Sequence, residues 1–316
     1  MFAVRIIVSV SLLTVLAFKV PDLDGILPAA HHQRTVALLA AAALTALLGV
    51  VLSAWRWQRV LAVFDTHVPL ATLTATYLAS LFVGNVLPST IGGDVLRVTR
   101  TARIVGSTET AFASVALERL TGFVALPLIV FAGIAIQPAL LDADHALIAP
   151  IIGLLTLGLL ASILFLAGHP RLAGRFAENA NWTRFIGAVH SGIDRLRRSP
   201  RRIADILASA LLYQTSVVLS VLLIAEAIDL PVPAAAIVAF VPAVAMIQVL
   251  PISVSGLGVR EGMLVVFLHP LGATRAQAIG LGLLWYASLL IVSALGAPAF
   301  ATGHRVRSDP ASDSVR

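Results

Sequence analysis

The sequence contains no cysteine, and only one of its 22 basic residues, Lys19, is a lysine. The absence of cysteine excludes disulfides and thiol chemistry, and it means that cysteine content gives no information about the cellular compartment. Charged residues of both signs make up only 12% of the 316 residues, whereas soluble proteins carry roughly 25%. This low content of charged residues excludes a substantial soluble domain.

Apolar residues take the place of the missing charge: they form 59% of the chain, and the mean hydropathy is +0.96. A helix of roughly 20 apolar residues crosses the hydrocarbon core of a bilayer. Apolar runs of about this length or longer lie at 2–20, 36–54, 70–90, 110–136, 146–167, 203–227, 235–268 and 277–301. A membrane β-barrel would instead show short alternating segments. The sequence therefore predicts an all-α polytopic membrane protein.

The first run, 2–20, has an alternative interpretation as a signal peptide, because Arg5 precedes a short apolar core. No small-residue cleavage motif follows it, and the next apolar run begins after a short polar loop. Both features favour a membrane span over a cleaved signal.

Basic residues predict the orientation of the spans. With the N-terminus inside, 17 Arg fall in inner segments, and only Lys19, Arg34 and Arg275 fall in outer loops. Lys and Arg accumulate on the cytoplasmic side of membrane proteins. We therefore expect the cell (inner) membrane, with both termini cytoplasmic. The isoelectric point near 10.9 then reflects cytoplasmic loops, and no nucleic-acid partner is expected.

The same rule applies to residues near the inner end of the second span. Arg56 and Arg59 count among the inner arginines, and Trp55 and Trp57 fit an interfacial aromatic belt. Residues 171–200 carry apolar side chains at helical spacing among arginines, which predicts an amphipathic helix on the inner leaflet. The tail 302–316 is expected to be disordered.

This orientation predicts two segments that each enter and leave the membrane on the same face, one from the inside and the other from the outside. Segment 70–96 starts inside and is followed by Arg97, which must also lie inside. Segment 235–268 starts outside and must end outside before Arg275. The sequence thus predicts about six transmembrane helices plus two opposed re-entrant or broken-helix hairpins.

The two hairpins share a pattern. Residues 85–97 read NVLPSTIGGDVLR, and residues 248–261 read QVLPISVSGLGVRE. Each has an amide, Val-Leu-Pro, hydroxyl residues, two glycines and an arginine beside an acid. The match predicts an inverted repeat of halves about 1–136 and 146–301, within one transmembrane domain 1–301. A chance match of two Pro/Gly breaks is the alternative.

Ionisable residues inside spans usually face a cavity or a partner. Glu118 and Arg119 lie inside span 110–136, and the hairpins add two acids and two arginines. Three acids against three arginines predict an ion-pair network. Helices that restart after Gly93 and Gly258 would also direct N–H groups at an anion. The alternatives are that Asp94 only caps a helix and that Glu118 and Arg119 snorkel to the interface.

The candidate substrate-binding residues are therefore Asn85, Pro88, Gly92, Gly93, Asp94, Arg97, Glu118, Arg119, Gly256, Gly258, Arg260 and Glu261. The eight histidines lie in loops or at span ends without metal-ligand spacing, so neither a metal site nor a cofactor is predicted.

These motifs, Asn85-x-x-Pro88, Gly92-Gly93-Asp94-x-x-Arg97, Glu118-Arg119 and Gly256-x-Gly258-x-Arg260-Glu261, together resemble the flippase-like family over about 5–300. This family is the transmembrane region of lysylphosphatidylglycerol synthases and their stand-alone relatives. The resemblance implies movement of a lipid between leaflets, and in the synthases a separate cytosolic domain makes that lipid. The longest non-membrane stretch, about 168–202, is too short for such a domain, so aminoacyl transfer is not expected. The run Ser255–Gly258 departs from the expected Pro-Gly-Gly type of turn.

The leading hypothesis is a lipid translocase or transporter for an anionic phospholipid or a polyprenyl-phosphate-linked lipid. A first alternative is an accessory subunit of a lipid-modifying or glycosyl-transfer enzyme. A second is a membrane-embedded transferase with Asp94, Glu118 or Glu261 as general base, although no donor-binding motif supports it.

Overall fold

The computed structural model describes residues 32–86, 92–167, 180–249, 253 and 255–302, and these residues form helices and turns without a β-strand. The helices are α1 (His32–Val63), α2 (Leu70–Val86), α3 (Gly92–Val105), α4 (Thr108–Ile136), α5 (Ile148–Ala167), α6 (Ala180–Arg197), α7 (Pro200–Ala227), α8 (Ala234–Gln248), α9 (Val259–Leu268), α10 (Arg275–Ala294) and α11 (Gly296–Thr302), with 3₁₀ turns at Pro138–Asp142 and His269–Leu271. The all-α prediction is confirmed.

Within the described residues, four helical segments are long and apolar enough to cross a membrane: Gln33–Val63, Thr108–Ile136, Pro200–Ala227 and Arg275–Thr302. Shorter apolar helices cover Leu70–Asn85, Ile148–Ile163 and Ala234–Gln248. The predicted span 2–20 and residues 303–316 of the predicted tail 302–316 lie outside the described residues, whereas Thr302, the first residue of that tail, is helical and ends α11. The polytopic membrane architecture expected from the sequence is thus confirmed.

Helices α1 and α7 run antiparallel along their length, and ion pairs mark both ends of the contact. At one end Arg34 pairs with Glu226, and its Nη1 lies 3.4 Å from Asp229 Oδ1. At the other end Arg59 Nη1 of α1 lies 4.0 Å from Asp205 Oδ2 of α7. We call this second end the basic end, because Arg195 and Arg202 donate there to the carbonyl oxygens of Val63 and Ala62 and three more arginines lie between them in the sequence.

Both predicted hairpins form from pairs of packed helices. Helix α2 begins at Leu70, shortly after α1 ends at the basic end, and α3 packs back against it. A Cβ on Gly93 would lie 2.6 Å from the carbonyl oxygen of Ser80, so only glycine permits this close approach of α3 to α2. Segment 87–91, which contains Pro88, lies outside the described residues.

The second hairpin joins α8 to α9 and starts from the opposite end of the bundle, where α7 ends at Ala227. Its tip is tightly turned, since Ser255, Gly256 and Gly258 all have positive φ values of 51°, 76° and 82°. Two of these three positions are glycine, the residue that adopts positive φ without steric cost. The two hairpins therefore enter the bundle from opposite ends.

The largest apolar core surrounds α8, whose residues Ala236, Ile237, Ala239 and Phe240 are almost completely buried. Phe240 stacks on Phe267 of α9 with ring centroids 4.7 Å apart. A Cβ on Gly133 of α4 would lie only 2.6 Å from the backbone nitrogen of Ala239. The second hairpin is thus fixed inside the protein and not on its lipid-facing surface.

Helix α6 forms within the predicted amphipathic segment 171–200, whose first residues, 171–179, lie outside the described residues. Its apolar face packs on protein: Ile193 and Leu196 are buried against Val60, Leu117 and other apolar residues of the bundle. A Cβ on Gly192 would lie 2.5 Å from Leu117 Cδ1. At these positions the apolar face that was expected to meet the inner leaflet instead contacts the bundle.

Candidate functional site

Glu118 of α4 lies at the centre of a buried ionic cluster and is only 1% exposed. Its Oε1 accepts hydrogen bonds from Arg56 Nη2 and from Ser53 Oγ, the latter at 3.2 Å. Its Oε2 accepts from Arg97 Nη2 at 3.0 Å. A buried carboxylate is costly unless it is paired and hydrogen-bonded, and three donors from α1 and α3 provide that compensation.

Arg97 of α3 is held by aromatic rings as well as by carboxylates. Its guanidinium lies 4.2 Å from the ring centroid of Trp57 and 4.5 Å from that of Tyr77. Its Nη1 lies 3.6 Å from Asp94 Oδ1, one turn earlier in α3. Cations over aromatic faces gain further stabilisation when they are desolvated. Arg97, 2% exposed, therefore ties the first hairpin to α1 and α4.

Asp94 and Arg119 complete the cluster, with Arg119 Nη2 at 2.6 Å from Asp94 Oδ2. The side chain of Arg119 is 48% exposed, whereas those of Arg56 and Arg97 are almost fully buried. Asp94 pairs with two arginines, so its carboxylate does more than cap a helix. We call Arg56, Asp94, Arg97, Glu118 and Arg119 the charged cluster. Three guanidiniums against two carboxylates leave one positive charge in excess.

A cavity of about 360 Å³, the central cavity, adjoins this cluster. Arg56, Glu118 and Arg119 line it, together with Tyr77 of the first hairpin and Tyr213 of α7. The tip of the second hairpin reaches the same cavity through Gln248 and Ser255. Most of the remaining wall is apolar, including Leu126, Phe123 and Trp285. The cavity thus combines a charged side with an apolar side, as ligand pockets commonly do.

Several buried donors facing this region have no hydrogen-bond partner among the described residues. They are Nε and Nη1 of Arg56 and Nε2 of Gln248. Arg56 is only 3% exposed, and its guanidinium carbon lies 5.0 Å from the ring centroid of Tyr213. An unsatisfied buried donor is unfavourable, so these groups favour a ligand or water with acceptor atoms in the central cavity.

The cavity lies well inside the bundle. At a rise of 1.5 Å per residue, Glu118 lies roughly 15 Å along α4 from Thr108, and Arg56 lies roughly 10 Å before the end of α1. Gln248 ends α8, whose 15 residues extend roughly 22 Å from the opposite end. The charged cluster and the second hairpin tip therefore meet at depth, from opposite ends of the bundle.

Arg260 and Glu261 form a separate buried pair in the second hairpin. Arg260 Nε donates to Glu261 Oε1 at 3.1 Å, and the Gly258 backbone N–H donates to Glu261 Oε2 at 2.6 Å. Tyr286 lies under the guanidinium, with its ring centroid at 4.9 Å. The start of α9, expected to attract an external anion, therefore binds a carboxylate of its own helix. The predicted six-charge network is divided into two parts in the described residues.

The remaining candidate residues shape the hairpins. Asn85 and Gly92 flank the segment 87–91 at the ends of α2 and α3, and Pro88 lies in that undescribed segment. Gly93 permits the α2–α3 contact described above. A Cβ on Gly256 would lie 2.7 Å from Gln248 Oε1, so Gly256 keeps the hairpin tip narrow. Substrate binding by these residues stays a prediction.

Sequence reasoning missed Arg56 and Trp57. It placed Arg56 on the inner side and Trp57 in an aromatic belt, but both are buried, and Trp57 Nε1 donates to Ser114 Oγ at 3.0 Å. A usable signal was present: Ser53, Arg56, Trp57 and Val60 follow the i, i+3, i+4, i+7 spacing of one helix face. The buried face of α1 continues to Val60, beyond residue 54, where the predicted span 36–54 ended.

No group of three or more His, Asp or Glu side chains suited to a metal ion occurs in the part of the chain that the structure describes. The polar side chains that line the central cavity offer guanidinium, carboxylate, hydroxyl and amide groups. Such groups bind phosphate and carboxylate well, particularly when a guanidinium can donate two bonds to one ligand.

The chain matches the family model described as the lysylphosphatidylglycerol synthase TM region over residues 2–296. A search of curated proteins gives no match. The matched range includes both hairpins, the charged cluster and the central cavity.

Proposed function

The chain belongs to the family of lysylphosphatidylglycerol synthase transmembrane regions, and we propose that it is a translocase that moves an anionic lipid between leaflets. Membership identifies a membrane protein related to lipid modification or flipping. The lipid that we propose is an anionic phospholipid or a polyprenyl-phosphate-linked lipid. In this proposal the headgroup occupies the central cavity while its chains remain in hydrocarbon.

The observation that carries the proposal is the excess positive charge of the charged cluster beside a cavity that both hairpins reach. A phosphate would balance this charge and accept hydrogen bonds from the free Nε and Nη1 of Arg56. Arg119 is half exposed at the same cavity and can turn from Asp94 toward a ligand. The opposed hairpins supply two elements whose movement could open the cavity to one side and then the other.

We further propose that the basic end faces the cytoplasm across the inner membrane. The chain lacks cysteine, so single introduced cysteines report the orientation directly. Cysteine at Asp142, exposed at the end of the 3₁₀ turn that follows α4, should react with an impermeant maleimide on intact cells. Cysteine at Arg201, exposed at the basic end, should react only after permeabilisation. The reverse pattern would invert the proposed orientation.

Transport can be tested in vesicles that contain the purified protein and either fluorescent phosphatidylglycerol or a fluorescent polyprenyl phosphate. We expect exchange above protein-free vesicles for at least one lipid. Arg119→Gln should slow it about tenfold, because a charge-assisted hydrogen bond contributes roughly 1.5–3 kcal/mol.

Arg34→Gln is the matched control, since its side chain is 50% exposed and paired with carboxylates but lies far from the central cavity. This variant should transport normally. Absence of transport for every lipid, in an assay where a known scramblase works, would contradict a translocase and favour an accessory role. Equal rates for wild type and Arg119→Gln would remove the charged cluster from the mechanism.

A further inference from the structure

A second cavity of about 270 Å³ lies on the other side of α4 from the central cavity. Leu120 and Val124 of α4, Leu160 of α5, Ile193 of α6 and Leu207 of α7 line it. We call it the apolar cavity. Glu118 and Arg119 of α4 face the central cavity, whereas Leu117, Leu120 and Val124 face the apolar one. One helix therefore separates two sites of opposite character at the same level.

Along α4, the described wall of the apolar cavity offers no free hydrogen-bond donor to a polar ligand. Thr121 also lines it, but its hydroxyl already bonds to the carbonyl oxygens of Leu117 and Glu118, at 2.9 and 3.0 Å. A void with apolar walls loses dispersion contacts and does not hold water well. An apolar chain is the ligand chemistry that satisfies such a space.

The mouth of this cavity is basic. Arg197 lines it beside Ile203, and residues 194–205 contain five arginines against two aspartates. Arg195 is occupied by Asp65, and Arg198 lies 2.6 Å from Asp194, but the net charge of this stretch stays positive. A molecule with an anionic head and an apolar tail complements a basic mouth that leads to an apolar interior.

We propose that the apolar cavity binds an acyl chain of an anionic phospholipid from the leaflet at the basic end, with the phosphate held beside Arg197. The volume is close to the lower limit of roughly 300 Å³ for ligand pockets, so it accommodates part of one chain and not a whole lipid. This site is distinct from the central cavity. An acyl chain bound here would pack between α4, α5, α6 and α7, whose residues line the apolar cavity. The proposal does not depend on the proposed transport function.

The test uses phosphatidylglycerol with a diazirine on one acyl chain, diluted into phosphatidylcholine vesicles that contain the full-length protein. Photolabelled peptides are mapped by mass spectrometry. We expect labelling on residues 120–124 and 203–207 above that on the lipid-facing Leu154, Leu155 and Leu159 of α5, which are 61%, 68% and 63% exposed.

Val124→Phe should fill the cavity and reduce that labelling about fivefold. Leu128→Phe, one turn further along α4 and 44% exposed, is the matched control and should leave it unchanged. If Val124→Phe does not fold, Leu207→Phe fills the space from the opposite wall.

The role of the anionic headgroup is tested with phosphatidylcholine that carries the same diazirine on an acyl chain, and with the variant Arg197→Gln. Anionic lipid should label several-fold more than phosphatidylcholine, and Arg197→Gln should reduce that preference. Equal labelling by both lipids would overturn the anionic assignment. Labelling of the cavity no stronger than that of α5, and insensitive to both filling variants, would show only annular lipid and overturn the site itself. If Arg119→Gln loses transport but keeps labelling of the apolar cavity, the lipid site is supported independently of the proposed transport function.

Discussion

The two hairpins use the same residue types in different ways. In the first, Arg97 leaves its own helix to reach Glu118 of α4, and Asp94 reaches Arg119. In the second, Arg260 donates to its sequence neighbour Glu261, and the Glu261 carboxylate also accepts from the Gly258 N–H. The first hairpin is tied to the bundle by charges, whereas the second is tied by apolar packing around Phe240.

The difference indicates where function should be sought. A network shared by three helices changes when any one of them moves, and its members adjoin the central cavity. A pair within one helix travels with that helix and leaves the charge around it unchanged. The similar motifs thus form ion pairs between helices in the first hairpin and stabilise the start of one helix in the second.

Glu118→Gln should give the largest loss of stability. The substitution leaves Arg56 and Arg97 buried without their shared carboxylate, and breaking a buried ion pair costs about 3–5 kcal/mol. The free energy of unfolding in mixed micelles measures this. Glu226→Gln is the control, because the Glu226 side chain is 61% exposed and exposed pairs contribute at most about 1 kcal/mol. Similar losses for both variants would mean that Glu118 is not the centre of a buried network.

Double variants compare the hairpins directly. Glu261→Gln alone should cost about 3 kcal/mol, while Arg260→Met with Glu261→Gln should recover most of this loss, since both buried charges are removed. The amide oxygen that replaces the carboxylate can still accept from the Gly258 N–H. Arg97→Met with Glu118→Gln should recover little, because Arg56 remains buried and unpaired. A double-mutant cycle in unfolding free energy gives both values, and equal recovery in the two hairpins would argue against the distinction.

Gly93→Ala should destabilise the first hairpin by about 1–3 kcal/mol, the usual cost of overpacking. The new Cβ would meet the Ser80 carbonyl, which is backbone and cannot turn away. Gly84→Ala, with open space around its Cβ in the same hairpin, should instead stabilise α2 by up to about 1 kcal/mol. Thermal melting of the two variants tests this pair, and a tolerated Gly93→Ala would show that α2 and α3 are not so closely packed.

Arg119→Gln should have the smallest effect on stability, about 1 kcal/mol or less, because a half-exposed ion pair is screened by solvent. Its expected effect on transport is about tenfold, as given above. The ratio of the two effects is the informative result, measured on one reconstituted sample by unfolding and by lipid exchange. A large stability loss would place Arg119 with Glu118 as a packing residue.

Much of the fold was predictable from local pattern. Runs of apolar residues predicted the helices, because each helix satisfies its own backbone hydrogen bonds and needs only length and apolarity to lie in a membrane. The positions of Arg97 and Arg275 predicted two hairpins, and the structure has them starting from opposite ends. The family was also identifiable from the motifs around Pro88, Gly93 and Glu118, and the match over 2–296 confirms it.

The site was predictable only in part. Asp94, Arg97, Glu118 and Arg119 stood out because charges at membrane depth have few ordinary explanations, and the structure brings these four together. Arg56 did not stand out, because an arginine near the end of an apolar run is usually interfacial. Its position became clear only when α1 continued to Val63 and buried it against Glu118.

Composition and periodicity by themselves determined that this protein lies in a membrane as helices, since those properties depend on each segment and its solvent. Tertiary structure decided which charges pair. Arg260 binds its neighbour Glu261, while Arg97 reaches across 21 residues of sequence to Glu118. That choice rests on the distances between helices, which close packing at glycines such as Gly93 and Gly133 sets. The low content of charged residues thus indicated a membrane protein, and helix packing placed the charged cluster beside the central cavity.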